Sequence, residues 1–233
     1  TQASTTVIKD TAVPTVAITS TTAINNTNKA AYPVSGTCSE NGRAVSVNVG
    51  GVTATPTCTT LAWSASLNVT GVSDSASVAA TANHTDAAGN AATQASTTFL
   101  KDTVIPTVAI TSSPLINNAN RTAYTVSGTC SENTRTVSVT VGSASGAPTC
   151  TTNAWTLTLD VTAVADGASV SITANHTDLA GNAATQASTT VVKDTANPLV
   201  AITSSPIINN TNKAAYTVSG TCSENTRTVT VNV

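Results

Sequence analysis

The chain has 233 residues and a formal net charge of −2; 40% of its residues are hydrophobic, 9% charged and 3% aromatic. So little charge excludes a basic nucleic-acid binder, a charge-driven disordered tail and a coiled coil, and no apolar run approaches the ~20 residues that cross a membrane. Thr, Ser, Ala, Val and Asn dominate and Met is absent, a composition that favours strands over helices.

Along the chain, apolar residues recur with the period of two that a half-buried strand requires. Val16 and Ile18 share a face of the first strand, and Tyr32, Val34, Gly36 and Cys38 share a face of the second. Val45, Val47 and Val49 mark the third, and a short fourth is expected over 52–58. Trp63, Ala65, Leu67 and Val69 give the fifth, Val78, Ala80, Ala82 and His84 the sixth, and residues 92–100 the last. Gly, Pro, Asn and Asp cluster between these runs, as turns demand. Seven short strands in about 90 residues predict an all-β, immunoglobulin-like sandwich.

The pattern then repeats. TQASTT begins at Thr1, Thr93 and Thr185, a period of 92 residues. Residues 1–92 and 93–184 are identical at 62 of 92 positions without a gap, so the chain is a tandem array. The expected division is 1–9, the last strand of a preceding module; 10–101, module one; 102–193, module two; and 194–233, the N-terminal part of a truncated module three. On this reading the sequence is a stretch of a longer polypeptide.

The charges obey the same period. All nine bases fall at three repeated positions: Lys9, Lys101 and Lys193; Lys29, Arg121 and Lys213; Arg43, Arg135 and Arg227. Ten of eleven acids recur, and only Asp160 stands alone. A catalytic site is assembled from dissimilar elements and is normally unique, so copying almost every charge points to a spacer or array and away from an enzyme.

The five cysteines follow suit. Cys38 and Cys58 are 20 residues apart, as are Cys130 and Cys150, and Cys222 matches Cys38, with its partner expected outside this sequence. One distant His per module makes a poor zinc set, which favours disulfides and hence an oxidising compartment. The modules have lean cores, and closing such a loop stabilises by roughly 3 kcal/mol in the chain-entropy view.

In a seven-strand sandwich the linker before the first strand, the loop after the second and the loop after the sixth share one end. That places Asp10, Glu40 and Asp86 together at the top of module one, Asp102, Glu132 and Asp178 at the top of module two, and Asp194 with Glu224 in the third copy. Converging carboxylates repel unless a cation or hydrogen bonds intervene, and oxygen ligands suit Ca²⁺. Asn90 and Asn182 can add amide oxygens, as can the INNTN and INNAN loops at the lower end of the preceding module. The expected result is a cation at each module junction. The competing reading is that these are ordinary turn formers, Asp capping Thr-x-x-Pro and Glu40 pairing with Arg43. His84 and His176 are expected to be structural, and Trp63 and Trp155 to belong to the core.

In order, KDTAVPTVAITS, VSGTCSENGRAVSVNV, AWSASLNV and ANHTDAAGNAA resemble the bacterial immunoglobulin-like (Big) repeats. The resemblance covers the whole chain. It implies β-sandwich extender modules of large secreted adhesins and biofilm-associated surface proteins, stiffened by Ca²⁺ through the acids of DTxxP and DxAGN, here Asp10, Asp86, Asp102, Asp178 and Asp194. The chain departs from that pattern in having Asn25, Asn26 and Asn28 where many relatives carry an acid, and in having the cysteine pair.

The expected function is a Ca²⁺-stiffened, disulfide-pinned rod on the bacterial surface or in an extracellular fibre. Its expected partners are neighbouring modules and other copies in a fibre or biofilm matrix, with no nucleic acid and no membrane contact in this segment. The alternatives are a filament subunit assembled by strand complementation and a glycan- or receptor-binding module.

Overall fold

The computed structural model describes residues 2–233; Thr1, the first residue of the strand expected over 1–9, lies outside them. Two sandwiches follow one another. In the first, β1 (Val16–Ile18), β2 (Tyr32–Cys38), β3 (Val45–Val49), β4 (Val52–Ala54), β5 (Ala62–Leu67), β6 (Ser75–His84) and β7 (Ala95–Lys101) form two sheets, ordered β1-β2-β5 and β4-β3-β6-β7. The second contains β8 (Val108–Ser112), β9 (Tyr124–Cys130), β10 (Val137–Val141), β11 (Ala144–Gly146), β12 (Ala154–Leu159), β13 (Gly167–His176) and β14 (Ala187–Lys193), with the same neighbours in the same order. A final antiparallel pair, β15 (Val200–Ser204) and β16 (Ser219–Cys222), follows. Among the described residues there is no helix.

The period-two pattern is realised in the burial. Along β2, Tyr32, Val34, Gly36 and Cys38 are buried while Pro33 and Thr37 are exposed. The register Val45↔His84, Val47↔Ala82 and Val49↔Ala80 sets the inward rows of β3 and β6 side by side. Gly36 is required by close approach: a Cβ there would lie on the Ala17 carbonyl oxygen and against the Trp63 ring, and Gly128 stands in the same relation to Ala109 and Trp155. Trp63 Nε1 donates to the carbonyls of Ala17 and Thr37, both at 3.2 Å, so the indole joins β1 to β2 from inside. Tyr32 packs edge-on against Phe99 at 5.4 Å and donates its hydroxyl proton to Thr22 O. Burial pushes its phenol up to about 12.

The fourth strand is shorter than expected. It ends at Ala54, because Pro56 has no N–H for a ladder, and the chain rejoins the sheet only at the isolated Ala44↔Thr57 bridge. Residues 2–9, expected as a last strand, form none, and Val229 and Val231 of the third copy pair with no strand among the described residues. The disulfides Cys38–Cys58 and Cys130–Cys150 are formed, each with its Cα atoms 6.0 Å apart, and Cys222 is free and exposed. Each bond ties the end of the second strand of its sandwich to the connection that crosses between the sheets.

Two separate cores result, one around Trp63, Tyr32 and Phe99 and one around Trp155, Tyr124 and Ile172. The link between the sandwiches is residues 102–107, from the end of β7 at Lys101 to the start of β8 at Val108. Ile24 pairs in parallel with Lys101, so the exit of the first sandwich is laced to its own β1–β2 loop.

Candidate functional site at the seam between the sandwiches

The β6–β7 loop begins where the ladder of β6 ends. Asp86 is buried, and its two oxygens accept from Asn90 N at 2.8 Å and Asn90 Nδ2 at 2.7 Å. Those bonds, led by the Asn90 side chain and joined by the Gly89 and Ala88 amides, hold the Asp86 carboxyl below its ordinary range. Asp178 and Asn182 repeat the motif at 2.8 and 2.7 Å. His84 secures the strand beneath. Its Nε2 accepts the Glu40 amide at 3.3 Å, so Nδ1 carries the proton and donates to Ala44 O at 3.0 Å. His176 does the same with Glu132 and Thr136. Both imidazoles are buried and fully engaged, which is a structural role.

The linker is fastened at several points. Ile24 N donates to Leu100 O at 2.8 Å, and Asp102 N donates to Ile24 O at 3.0 Å. Lys101, 3% exposed, gives its ammonium to Asp74 Oδ1 at 2.7 Å, and Thr103 donates to Asp74 Oδ2 through N and Oγ1, both at 2.9 Å. The Lys101 hydrogen bond, followed by that of Thr103 N, lowers the Asp74 carboxyl to about 2. Lys193, Asp166 and Thr195 form the same clasp after the second sandwich, with Asp166 also at about 2, and Lys193 donates in addition to Val164 O at 2.6 Å. A buried ammonium is tolerated when paired in this way. Further on, Asp102 Oδ1 accepts Val104 N at 2.9 Å, Pro106 is buried, and Thr107 N donates to Ser131 Oγ at 2.9 Å.

The two sandwiches meet directly. Asn25 Nδ2, in the β1–β2 loop, donates to Ala180 O at 3.0 Å, and Asn26 N donates to Asn182 Oδ1 at 2.7 Å. Asn182 Nδ2 is shared between Asp178 Oδ2 and Asp102 O, the latter at 2.8 Å. The lower loop of one sandwich, the linker and the upper loop of the next therefore form one hydrogen-bonded seam.

The predicted ligand residues fall into two groups. Asp102, Asp178 and Asn182 are brought together, as are Asp86, Asn90 and the Asp10 peptide, with Asn90 Nδ2 3.3 Å from Asp10 O. The Asp10 side chain instead takes the Ala12 amide, and Asp194 takes the Ala196 amide. Glu40 and Glu132 engage the site through their peptide N–H groups. Glu40 does not pair with Arg43, whose Nε points at Thr85 O at 3.4 Å, because the loop turns the guanidinium toward the β6–β7 corner. Only in the third copy does Arg227 meet Glu224, at 3.6 Å. The Asp, Glu and Asn side chains at the seam carry oxygens, the right kind for a hard cation, and both oxygens of Asp178 accept from Asn182. Among the described residues no three Asp, Glu, His or Cys side chains form a ready cluster. The Lys–Asp clasp escaped the sequence reading, although Asp74/Lys101 and Asp166/Lys193 share one spacing of 27 residues.

No family model matches the chain, and no curated protein matches it. Solved structures do. A Ca²⁺-stabilised adhesin of an Antarctic bacterium is 24% identical, with a TM-score of 0.44, over 92% of this chain and 59% of its own. A tetra-tandem repeat from the extending region of a large adhesion protein is 20% identical, with a TM-score of 0.39, over 90% of this chain and 56% of its own. The fibronectin(III)-like modules of Clostridium thermocellum CbhA are 15% identical, with a TM-score of 0.50, over 76% of this chain and 94% of theirs. The fold is an immunoglobulin- and fibronectin(III)-like sandwich. The chain spans little more than half the length of the two adhesin structures. Its two disulfides fit an oxidising compartment.

Proposed function

We propose that the chain is a run of extender modules from a large bacterial surface adhesin or extracellular fibre, divided at 10–101, 102–193 and 194–233, with 1–9 closing an earlier module. The observation that carries this reading is the seam. The linker, the lower loop and the upper loop are hydrogen-bonded to one another, an arrangement that transmits orientation from one sandwich to the next, and the residues that make it recur each 92 positions. Few charges and few aromatics suit a surface that spans distance without adhering to what it passes. The protein is read as non-enzymatic, exported, and in contact chiefly with its own neighbouring modules.

Calcium is assigned to the seams. Asp102, Asp178 and Asn182, with Glu132 nearby in the loop after β9, would hold it at the described seam. Asp10, Glu40, Asp86 and Asn90 would do so above the first sandwich, and Asp194 and Glu224 in the third copy. When bound, the cation supplies charge neutralisation between linker and loop. The carboxylate and amide oxygens of these side chains support this choice.

Small-angle scattering of the chain in calcium and in chelator tests the stiffening. A narrower range of dimensions in calcium is expected, and identical curves would remove calcium from the seam. Intact mass of the natural polypeptide tests the array: a product far longer than 233 residues is expected.

A further inference from the structure

The upper loop occurs twice in full, once with a sandwich above it and once without, and this pair isolates what the neighbour contributes. Above the first sandwich Ala88 is exposed and Asn90 half-buried. Above the second, under the β1–β2 loop of the first, Ala180 is 6% and Asn182 2% exposed. A Cβ on Gly89 would meet nothing within 4 Å, whereas one on Gly181 would touch Asn25 Nδ2 at 3.4 Å. The cover therefore reaches Ala180, Gly181 and Asn182, while Leu179 of the same turn stays exposed.

From this the geometry points to a metal-free amide latch: the Asn-Asn pair of a β1–β2 loop is a docking element for the Asp-x-Ala-Gly-Asn loop of the next module. Asn25 Oδ1 accepts the amides of Thr27 at 3.0 Å and Asn28 at 3.1 Å, which curls the loop and leaves Nδ2 free to reach Ala180 O. The same curl presents the Asn26 amide to Asn182 Oδ1. On the receiving side, Asp178 accepts both N–H groups of Asn182, so the amide oxygen of Asn182 faces outward as an acceptor. Both loops are shaped by their own bonds before they meet, so little order is lost on docking. Where relatives are read to place an acid in the lower loop, this chain places neutral amides, which donate as well as accept. The latch joins modules without a cation and adds a second tie to the seam on which calcium was placed above.

Asn117 curls the corresponding loop of the second sandwich in the same way, accepting Ala119 N and Asn120 N. Among the described residues the Asn118 backbone N–H has no acceptor of the Asn182 kind, although the side-chain Nδ2 stands 3.4 Å from Asn197 Oδ1. Amide hydrogen exchange of the 233-residue chain, read by NMR in chelator, is then an internal comparison. The Asn26 amide should exchange about tenfold more slowly than that of Asn118, the protection one such bond confers. Asn25→Asp keeps the curl but replaces the donor that faces Ala180 O, so it should remove most of that protection, while Asn117→Asp should change nothing at the seam. Equal exchange of Asn26 and Asn118 in chelator overturns the latch. Protection that appears only on adding calcium overturns the latch as well and leaves the metal as the tie, which scattering tests separately.

Discussion

Asp86 and Asp178 sit in loops that read DAAGN and DLAGN and make the same bonds to the Asn four residues on, at 2.8 and 2.7 Å in both. They differ in what lies above them. With no neighbour, Asn90 Nδ2 stands 3.3 Å from the linker carbonyl of Asp10; with the first sandwich docked, Asn182 Nδ2 is 2.8 Å from that of Asp102. The upper loop is thus built in advance by its own module. The neighbour buries it and draws the linker in, but does not reshape it.

The largest expected effects lie away from the seam and check that the two sandwiches are otherwise equals. Cys58→Ser and Cys150→Ser should each cost about 3 kcal/mol in their own sandwich, measured by denaturant unfolding. Unequal losses would trace the difference to the cores. Next come Asp86→Ala and Asp178→Ala, which leave the loop amides without their acceptor at a cost of about 1–3 kcal/mol each. Only Asp178→Ala should also broaden the dimensions seen by scattering, and equal broadening by both would break the comparison.

Acid sharpens it further. Asp74 and Asp166 are lowered to about 2 in the folded chain, below the ordinary carboxylate range. Their contribution is complete above about pH 4 and is lost as pH falls toward 2, since the unfolded carboxyl takes up its proton first. Asp74→Asn should flatten this acid dependence for the first sandwich alone, followed by thermal unfolding between those pH values. An unchanged profile would deny the clasp. Smallest is Asp102→Ala, expected to alter the stability of either sandwich by about 0.5 kcal/mol or less. It should nevertheless loosen the joint between them in calcium, as scattering would show, and a joint left as tight would remove the Asp102 carboxylate from the calcium set, since the substitution keeps the backbone carbonyl that Asn182 reaches.

Most of the sandwich was legible because strand faces are written in local alternation. Tyr32, Val34 and Cys38 point inward on spacing alone, and the repeated 20-residue gap gave the disulfides. The fourth strand was read too long because Pro56 stops a ladder without interrupting the apolar pattern. The candidate site was legible as a place: linker, upper loop and lower loop were expected at one junction, and they meet there. Its bonds were not. An Asp next to a turn reads alike whether it binds a cation, an amide or its own backbone, and Glu40 entered through its peptide N–H, which no side-chain pattern reveals.

By itself the sequence determined the period, the strand faces, the cysteine pairs and the repetition of every charge but Asp160. Only the tertiary structure decided that Lys101 is spent on Asp74, that Asn182 divides its amide between Asp178 and Asp102, and that Asn25 and Asn26 reach across to the next sandwich. Face and period are properties of neighbouring residues along a strand. A hydrogen bond between loops 155 residues apart depends on where two folded bodies place their donors and acceptors.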